Sequence, residues 1–526
     1  MLKMCHLKMR PDFHIGHVMM QSMRENSQLV SQVDIVTGQQ ETTGSVLRRS
    51  IQLAKHLRSI GLKPGDVLAI SGNNHLDLFI PFYSALFNGL PIVGVDPNYK
   101  YDEIKKLFKI TSPKVAFCEK SSYETYMNVT KDLGLNVKII VFGNENNCFP
   151  TFVESNNNSD VENNFTVAEF DIDKIYVFLI CTSGTTGKIK AAAFKHQAIA
   201  DKMLHPTMVP KEKFRGTSAI CISPINWISA YFNAIGSVYM GQMRIQSSIP
   251  DDLDYTMKII NQYKPITALV SPSLMATLLK RKDDVDLKCF DVIVVTGSKV
   301  YLDVLDEFQK CLKKGAIAFE SYGQTELIGP TLQFVPGTPR GSSGEPHLLY
   351  SIKLVDPETG KEITEPNVPG EMWAKGPCFT EYYNDPEETA NAFSEDGYCK
   401  TGDLLYRDEN NFYYFVDRIK TLIKYRNFHV TPAELEEVIH SHKGVSDVCV
   451  IGIDDPEDGQ RPVACVVKRN GHIVTAEEIK NLVLDKLSKS KELRGGVVFL
   501  KELPVTSTGK IARRKLLDIV LNSPRE

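Results

Sequence analysis

Residues Ile175 to Lys195 read IYVFLICTSGTTGKIKAAAFK. The first eight, IYVFLICT, form an apolar run rich in β-branched and aromatic side chains, the pattern of a buried strand. AAAFK is a second extended run. From Thr182 to Lys190 there are two glycines and four hydroxyl residues. Gly184 and Gly187 can take backbone angles that turn N–H groups inward, and Thr182, Ser183, Thr185 and Thr186 add short donors. With Lys190 as the cation, such a loop can wrap phosphate oxygens. It is not a Walker loop, which needs GxxxxGK[ST] opening a helix, whereas here the second glycine comes early and an extended run follows. Taken alone, the same composition also fits a plain polar hairpin.

On the N-terminal side, VLAISG at 67–72, PIVGVD at 91–96, KVAFCE at 114–119 and KIIVFG at 138–143 are short apolar runs ending in turn or polar residues. Helical patterns at 46–60, 101–110 and 122–133 separate or flank them. In the first, Leu47, Ile51, Leu53, Ala54 and Leu57 recur at helical spacing, with Ser45 as the expected cap and Gly61 as the left-handed stop. The Asn-rich stretch 144–164 is expected to be a surface loop. On the C-terminal side the alternation resumes with SAICIS, ITALVS, DVIVVTG and AIAFESYG. This is the sign of doubly wound parallel sheets, whose ligands collect at the carboxyl ends of the strands. From Leu348 to about Phe415 the period shortens towards two, which predicts an antiparallel β subdomain. A charged join follows, then helices over 432–442 and 476–488 and strands near 447–453, 462–468 and 496–501. The expected fold is therefore α/β, with a large N-terminal domain over 1–417, a hinge over 418–422 and a small mobile α+β cap over 423–526.

A chain of 526 residues has room for three or four domain-sized units. With 42% hydrophobic and 24% charged residues and a net charge of −3, it is neither disordered nor a strongly nucleic-acid-binding protein. The 11 cysteines are scattered, with no CxxC pair and no Cys/His cluster at metal-ligand spacing, as in a reducing compartment. The most apolar tract, Leu76 to Val95, is cut by Asp77, Pro81, Asn88 and Pro91, so it reads as a buried helix and strand rather than a membrane span. The N-terminus lacks a continuous apolar leader and the C-terminus is not SKL, so a cytoplasmic location without integral membrane or nucleic-acid partners is expected.

Five further motifs follow the hydroxyl-rich loop in order: SYGQTE at 321–326, TGD at 401–403, DRIK at 417–420, KYRNFHVTPAELE at 424–436 and PVTSTGKIARRKL at 504–516. Together, over about residues 40–515, this set resembles the acyl-adenylate-forming superfamily of acyl-CoA synthetases, 4-coumarate:CoA ligases and beetle luciferases. LIKYRNFHVTPAELEEVI and KELRGGVVFL are most similar to insect luciferase-like acyl-CoA ligases. The resemblance implies an enzyme that uses ATP and Mg2+ to turn a small carboxylic acid, fatty or aryl, into an acyl-adenylate and then a CoA thioester. The alternative is a luciferase that adenylates a luciferin unlike the beetle compound and oxidises it with O2.

It also implies roles for residues. The segment Ser183 to Lys190 would embrace the β- and γ-phosphates. Ser321, Tyr322, Gly323 and Gln324 would border the adenine, Thr325 would donate to the α-phosphate and Glu326 would hold magnesium. Asp403 and Arg418 would bind the ribose. Lys510 would join the carboxylate to the α-phosphate, and Lys424, on the other side of the cap, would replace it after a rotation about Asp417 to Lys420. Lys510→Ala and a proline at Lys420 would test these two roles. For Arg513, Arg514 and Lys515, a solvated helix start is at least as good a reading as CoA phosphate binding.

The sequence departs from the family pattern at Ile189 and Ala191, where relatives have proline and glycine, at Ser321, and at Asn427, where a glycine is common and asparagine is the next residue to tolerate the left-handed region. Trp227, in SPINWISA, stands where beetle luciferases have histidine. By resemblance, Trp227 and Ser298 would line the acyl pocket.

Overall fold

A computed structural model describes residues 7–143, 164–183, 189–206, 211–250, 252–297, 300–425, 428–487, 489–506 and 510–526. Two seven-stranded sheets form the body. One runs in the order Glu381–Tyr382, Ile189–Phe194, Phe178–Ser183, Ile92–Gly94, Leu68–Ile70, Val115–Cys118, Lys138–Val141; the hairpin of Phe178–Ser183 with Ile189–Phe194 and the edge strand are antiparallel, the rest parallel. The other runs Ile317–Glu320, Val292–Val295, Thr267–Val270, Ser218–Cys221, Met243–Gln246, Val30–Asp34, Gln40–Thr42 and is parallel up to its last pair. The hydroxyl-rich loop thus joins two antiparallel strands, as the extended run after it predicts, and Thr182 pairs with Lys190 in that hairpin. Gly184 to Lys188 lie outside the described residues.

The period-two region forms a five-stranded antiparallel sheet between Ser351 and Arg418. Beyond it, Val445–Asp455, Gly459–Lys468 and Gly496–Leu500 make the C-terminal sheet, joined by the short strands Ile423–Tyr425 and Phe428–Val430. Helices Pro432–His440 and Ala476–Lys486 cover one face, where Leu435, Ile439, Ile479 and Val483 are buried, and helix Arg513–Leu521 packs Leu516 and Val520 on the other. All nine described cysteines are free. Among the described residues no helix is long and apolar enough to cross a membrane.

Several elements differ from the sequence reading. Helix Thr43–Ser59 starts earlier than 46 and is capped by Thr42, whose hydroxyl accepts the N–H of Ser45 at 3.2 Å; Ser45 is therefore inside the first turn. Gly61 does take a left-handed φ of +91° after that helix. The stretch 144–163 lies outside the described residues. Arg513 is half-buried and engaged: it donates to the Val450 carbonyl at 2.7 Å and pairs with Glu436, whose carboxyl burial pushes upward. It fastens the last helix to the C-terminal sheet.

Helix Ile15–Glu25, to which the sequence reading assigns no element, begins at a buried histidine cluster. His14 accepts the Gly16 N–H at 3.1 Å and lies against His17 and His196, with ring centroids 4.4 and 5.1 Å away. Burial lowers the His14 pKa to about 4, opposed by the bond to the Ala168 carbonyl and reinforced by His17. It holds His196 well below the ordinary histidine range, with His14, Lys195 and His17 adding repulsion. Burial also lowers His17, against the pull of Glu169 and Asp12. These folded values lie below the unfolded 6.5, so the unfolded chain binds more protons and stability drains away as pH falls from about 6.5 towards 4. His14 alone accounts for at most about 3 kcal/mol. The melting temperature should fall between pH 7 and 5, and His14→Asn, which keeps a capping oxygen, should flatten that acid limb.

Candidate active site

Thr182 and Ser183 end one strand of the first sheet, Thr296 follows the carboxyl end of Val292–Val295, and Ser321 follows Ile317–Glu320. The Ser321 N–H donates to Val295 O at 2.8 Å, and Thr296 Oγ1 donates to Ser321 O at 3.0 Å, so two strand ends present their polar residues together. The SYGQTE segment then turns into a short hairpin in which Gly323 pairs with Pro330 and Gln324 with Gly329. A Cβ on Gly323 would lie 2.3 Å from the Gly329 carbonyl oxygen, so only glycine permits this close approach.

Asp403 is the focus of this hairpin. It is 2% exposed, and its Oδ2 accepts from the Tyr322 hydroxyl at 2.8 Å and from Gln324 Nε2 at 2.5 Å, while Oδ1 faces Arg418 Nε at 3.1 Å. Gly402, at φ +68°, shapes the preceding turn, and its N–H donates to Glu371 at 2.9 Å. Burial raises the Asp403 pKa above the ordinary carboxyl value, against the opposing pull of Arg418 and the two hydrogen bonds. Tyr322 is itself buried; burial and the facing carboxylate drive its phenol far upward, so it stays a neutral donor. By resemblance the Tyr322 ring would border the adenine. Here its ring packs beside Phe415, with centroids 6.0 Å apart, and its hydroxyl orients Asp403. Asp403 and Arg418, expected side by side on one sugar, also pair with each other.

Glu326 accepts from the Tyr382 hydroxyl at 2.8 Å, and its carbonyl accepts the Phe379 N–H at 2.8 Å. Tyr382 lies on the edge strand next to the hydroxyl-rich hairpin, paired with Ala192. The Lys190 ammonium sits 4.4 Å from the centre of the Tyr382 ring and forms an ion pair with Glu388. Tyr382 therefore ties Lys190 to Glu326 across more than a hundred residues of chain. Sequence reading missed both Tyr382 and Glu388; the only signal was an aromatic pair followed by an acidic helix start, YYNDPEE, which has no motif of its own.

Lys510 keeps contact with solvent but lies against the body. Surrounding protein lowers its pKa and Arg418 repels its charge, while Asp403 and Glu326 pull the other way. The loop is closed by Thr506 N–H donating to Lys510 O at 2.7 Å. Lys424 is exposed on strand Ile423–Tyr425, and none of the Asp403 or Glu326 contacts above involves it. His440 of the C-terminal unit stacks on Tyr301, with centroids 3.7 Å apart and planes 9° from parallel. Asp417 accepts the Arg418 N–H at 2.7 Å and the Ala433 N–H at 3.2 Å. Trp227 caps helix Ile228–Met240, its indole N–H buried without a protein partner. Ser298, Asn427 and the Ser183 side chain lie outside what the structure describes. Among the described residues no group of three or more His, Cys, Asp or Glu could hold a metal ion.

Two α/β sheets precede a small α+β unit, and Lys510 of that unit lies within electrostatic reach of Arg418, Asp403 and Glu326. The chain belongs to the AMP-binding enzyme family: that family matches residues 21–384, and its C-terminal domain matches 434–510. Among its relatives, luciferin 4-monooxygenase of Photuris pensylvanica is 31% identical over 490 residues, covering 89% of this chain and 88% of that one. Probable 4-coumarate–CoA ligase 2 of Dictyostelium discoideum is 26% identical over 540 residues, covering 98% and 96%. The fold is that of ATP-bound MatB from Rhodopseudomonas palustris, with a TM-score of 0.85 at 22% identity over 96% of this chain and 98% of that one.

Proposed function

We propose that the chain is an ATP-dependent carboxylate ligase that forms an acyl-adenylate and then transfers the acyl group to CoA, with a fatty or aryl acid as substrate. The observation that carries this reading is the convergence of groups distant in sequence: Lys190, Tyr382 and Glu326 in contact, and Asp403 paired with Arg418 under the charge of Lys510, which also feels Glu326.

In the first step a carboxylate oxygen of the acid attacks the α-phosphorus of ATP and pyrophosphate leaves. Negative charge builds on the phosphate oxygens, and fixed cations lower that barrier. Lys190 would serve the leaving pyrophosphate, and the hydroxyls before it the terminal phosphates. The ammonium of Lys510, a compact charge on a flexible stem, would serve the α-phosphate and the carboxylate together. Asp403 would accept the ribose hydroxyls. Glu326 fits a magnesium site of the kind that uses one or two carboxylates with substrate phosphates, since Tyr382 bonds only its Oε1; the ion would neutralise phosphate charge. In the second step the CoA thiolate attacks the acyl carbonyl and AMP leaves. Lys424 would be the cap residue brought to the site for it by rotation about residues 418–422, which divide a body over 1–417 from a cap over 423–526.

The relationship to luciferin 4-monooxygenases keeps a second reading in view, in which the adenylate reacts with O2. Both readings are tested together by incubating the protein with ATP, Mg2+ and a panel of fatty and aryl acids, with and without CoA. Acid-dependent pyrophosphate release and CoA-dependent thioester formation are expected. Light with an insect lantern extract and no thioester from any acid would favour the oxygenase. No pyrophosphate with any acid would remove both.

A further inference from the structure

Helix His196–Met203 carries a lysine into the protein core. Lys202 is 0% exposed and its ammonium donates to the backbone carbonyl of Pro330. It sits 4.7 Å from the centre of the Tyr350 ring. Its chain neighbour Asp201 is engaged by Gln197 at 2.7 Å, and the other charged or titratable groups around Lys202 are His205, His347 and Tyr350, with Cys378 and Cys399 beyond the last. A cation buried with a carbonyl and an aromatic face instead of a carboxylate is costly. A methionine would fill the same space without that cost, so the charge calls for a use.

The use lies in what Lys202 holds. Pro330 ends the hairpin whose other strand is Gly323–Gln324 and whose connection bears Thr325 and Glu326. After Glu326 the chain makes an unusual turn: Ile328 has φ +53° and Gly329 +78°. Left-handed geometry at a β-branched residue is strained and persists only where its surroundings impose it. Here two buried side chains impose it from behind. The Tyr350 hydroxyl lies 2.5 Å from the Leu327 carbonyl oxygen and 2.9 Å from that of Pro377, while Lys202 takes the Pro330 carbonyl. Because Lys202 also lies over the Tyr350 ring, the two form one clamp on both ends of the strained turn.

We propose that Lys202 is a positioning residue: with Tyr350 it fixes the Leu327–Pro330 turn and thereby sets Thr325 and Glu326 for the nucleotide. This rests on the reading of the crevice as an ATP site. Burial lowers the Lys202 ammonium to about 7. A charged donor binds a carbonyl more strongly than a neutral amine, so the clamp weakens as pH rises through that value. His347, which burial lowers to about 4 with Lys202 and His205 adding repulsion, stays neutral over the same range.

The test is MgATP binding by calorimetry between pH 6 and 8.5, together with the melting temperature of the unliganded protein. Wild type should bind and lose affinity towards pH 8.5. Lys202→Met should bind about tenfold more weakly at pH 6.5, with no pH trend and a melting temperature equal to or above wild type, because a desolvated charge has been removed. Lys202→Arg should stay within about threefold of wild type, and Tyr350→Phe should fall between. Wild-type affinity in Lys202→Met overturns the proposal. So does a Lys202→Met protein that melts lower and keeps the wild-type pH trend, which would assign that trend to His205. Wild type that does not bind MgATP at all would instead bring down the nucleotide reading itself.

Discussion

Lys510→Ala should lower acyl-adenylate formation by about 10²- to 10³-fold, the scale seen when one preorganised donor to a developing oxyanion is removed. ATP affinity should change by less than about threefold. The asymmetry follows from the site. Lys510 is exposed on a loop closed by Thr506, and the nearest charges to it are Arg418, Asp403 and Glu326. Arg418 and Asp403 are already paired with each other, so the ground-state pocket is complete without the lysine. Its charge counts when the α-phosphate and the carboxylate approach and repel.

Lysine at this position carries a lowered pKa, first through the protein around it and then through Arg418. Its charged form is lost on raising the pH earlier than for an ordinary lysine, so wild-type adenylation should decline on the alkaline side and the residual rate of Lys510→Ala should not. The measurement is acid-dependent pyrophosphate release across pH, with a second assay that starts from preformed acyl-adenylate and CoA. That second assay should run near the wild-type rate. A variant that makes adenylate as fast as wild type would remove Lys510 from the reaction.

What the sequence disclosed, and what it hid, divides along contact order. The parallel strands were legible because each is a short apolar run closed by a turn signal, and Gly61 marked a helix end through its backbone freedom. The site residues in the six motifs were legible as types: hydroxyls and glycines for phosphate, one acid after TG, one lysine after STG. Their relations were not. Nothing local to Tyr322 says that its hydroxyl will turn to Asp403 some eighty residues on, or that its ring will be buried. Tyr382 and Lys202 were invisible for the same reason, since each acts on a backbone or side chain that only the fold brings near. Helix Ile15–Glu25 escaped although Ile15, Val18, Met19 and Met23 recur at helical spacing, because its histidine cap carries no start signal in the sequence.

A proline in the join between body and cap should separate the two half-reactions, and the structure picks the position. In the sequence alone Lys420 is the natural choice. Yet Ile419, Lys420 and Thr421 form a single 3-10 turn, and a proline at Lys420 would push Ile419 out of its helical angles. A proline at Ile419 meets no such conflict. Arg418 before it is extended, at φ −86° and ψ +137°, as a residue preceding proline should be, and the first residue of a helical turn has no intrahelical use for its N–H. Ile419→Pro therefore rigidifies the join in the pose that keeps Lys510 near Asp403 and His440 stacked on Tyr301. Adenylation should stay within about threefold of wild type. Thioester formation from preformed adenylate should fall at least about tenfold if the cap must turn to exchange Lys510 for Lys424. Tyr301→Ala, which removes the stack without touching the join, should act in the opposite sense, slowing adenylation more than thioester formation. Equal loss of both half-reactions in Ile419→Pro, or none in either, would mean that the cap performs its chemistry without rotating about this turn.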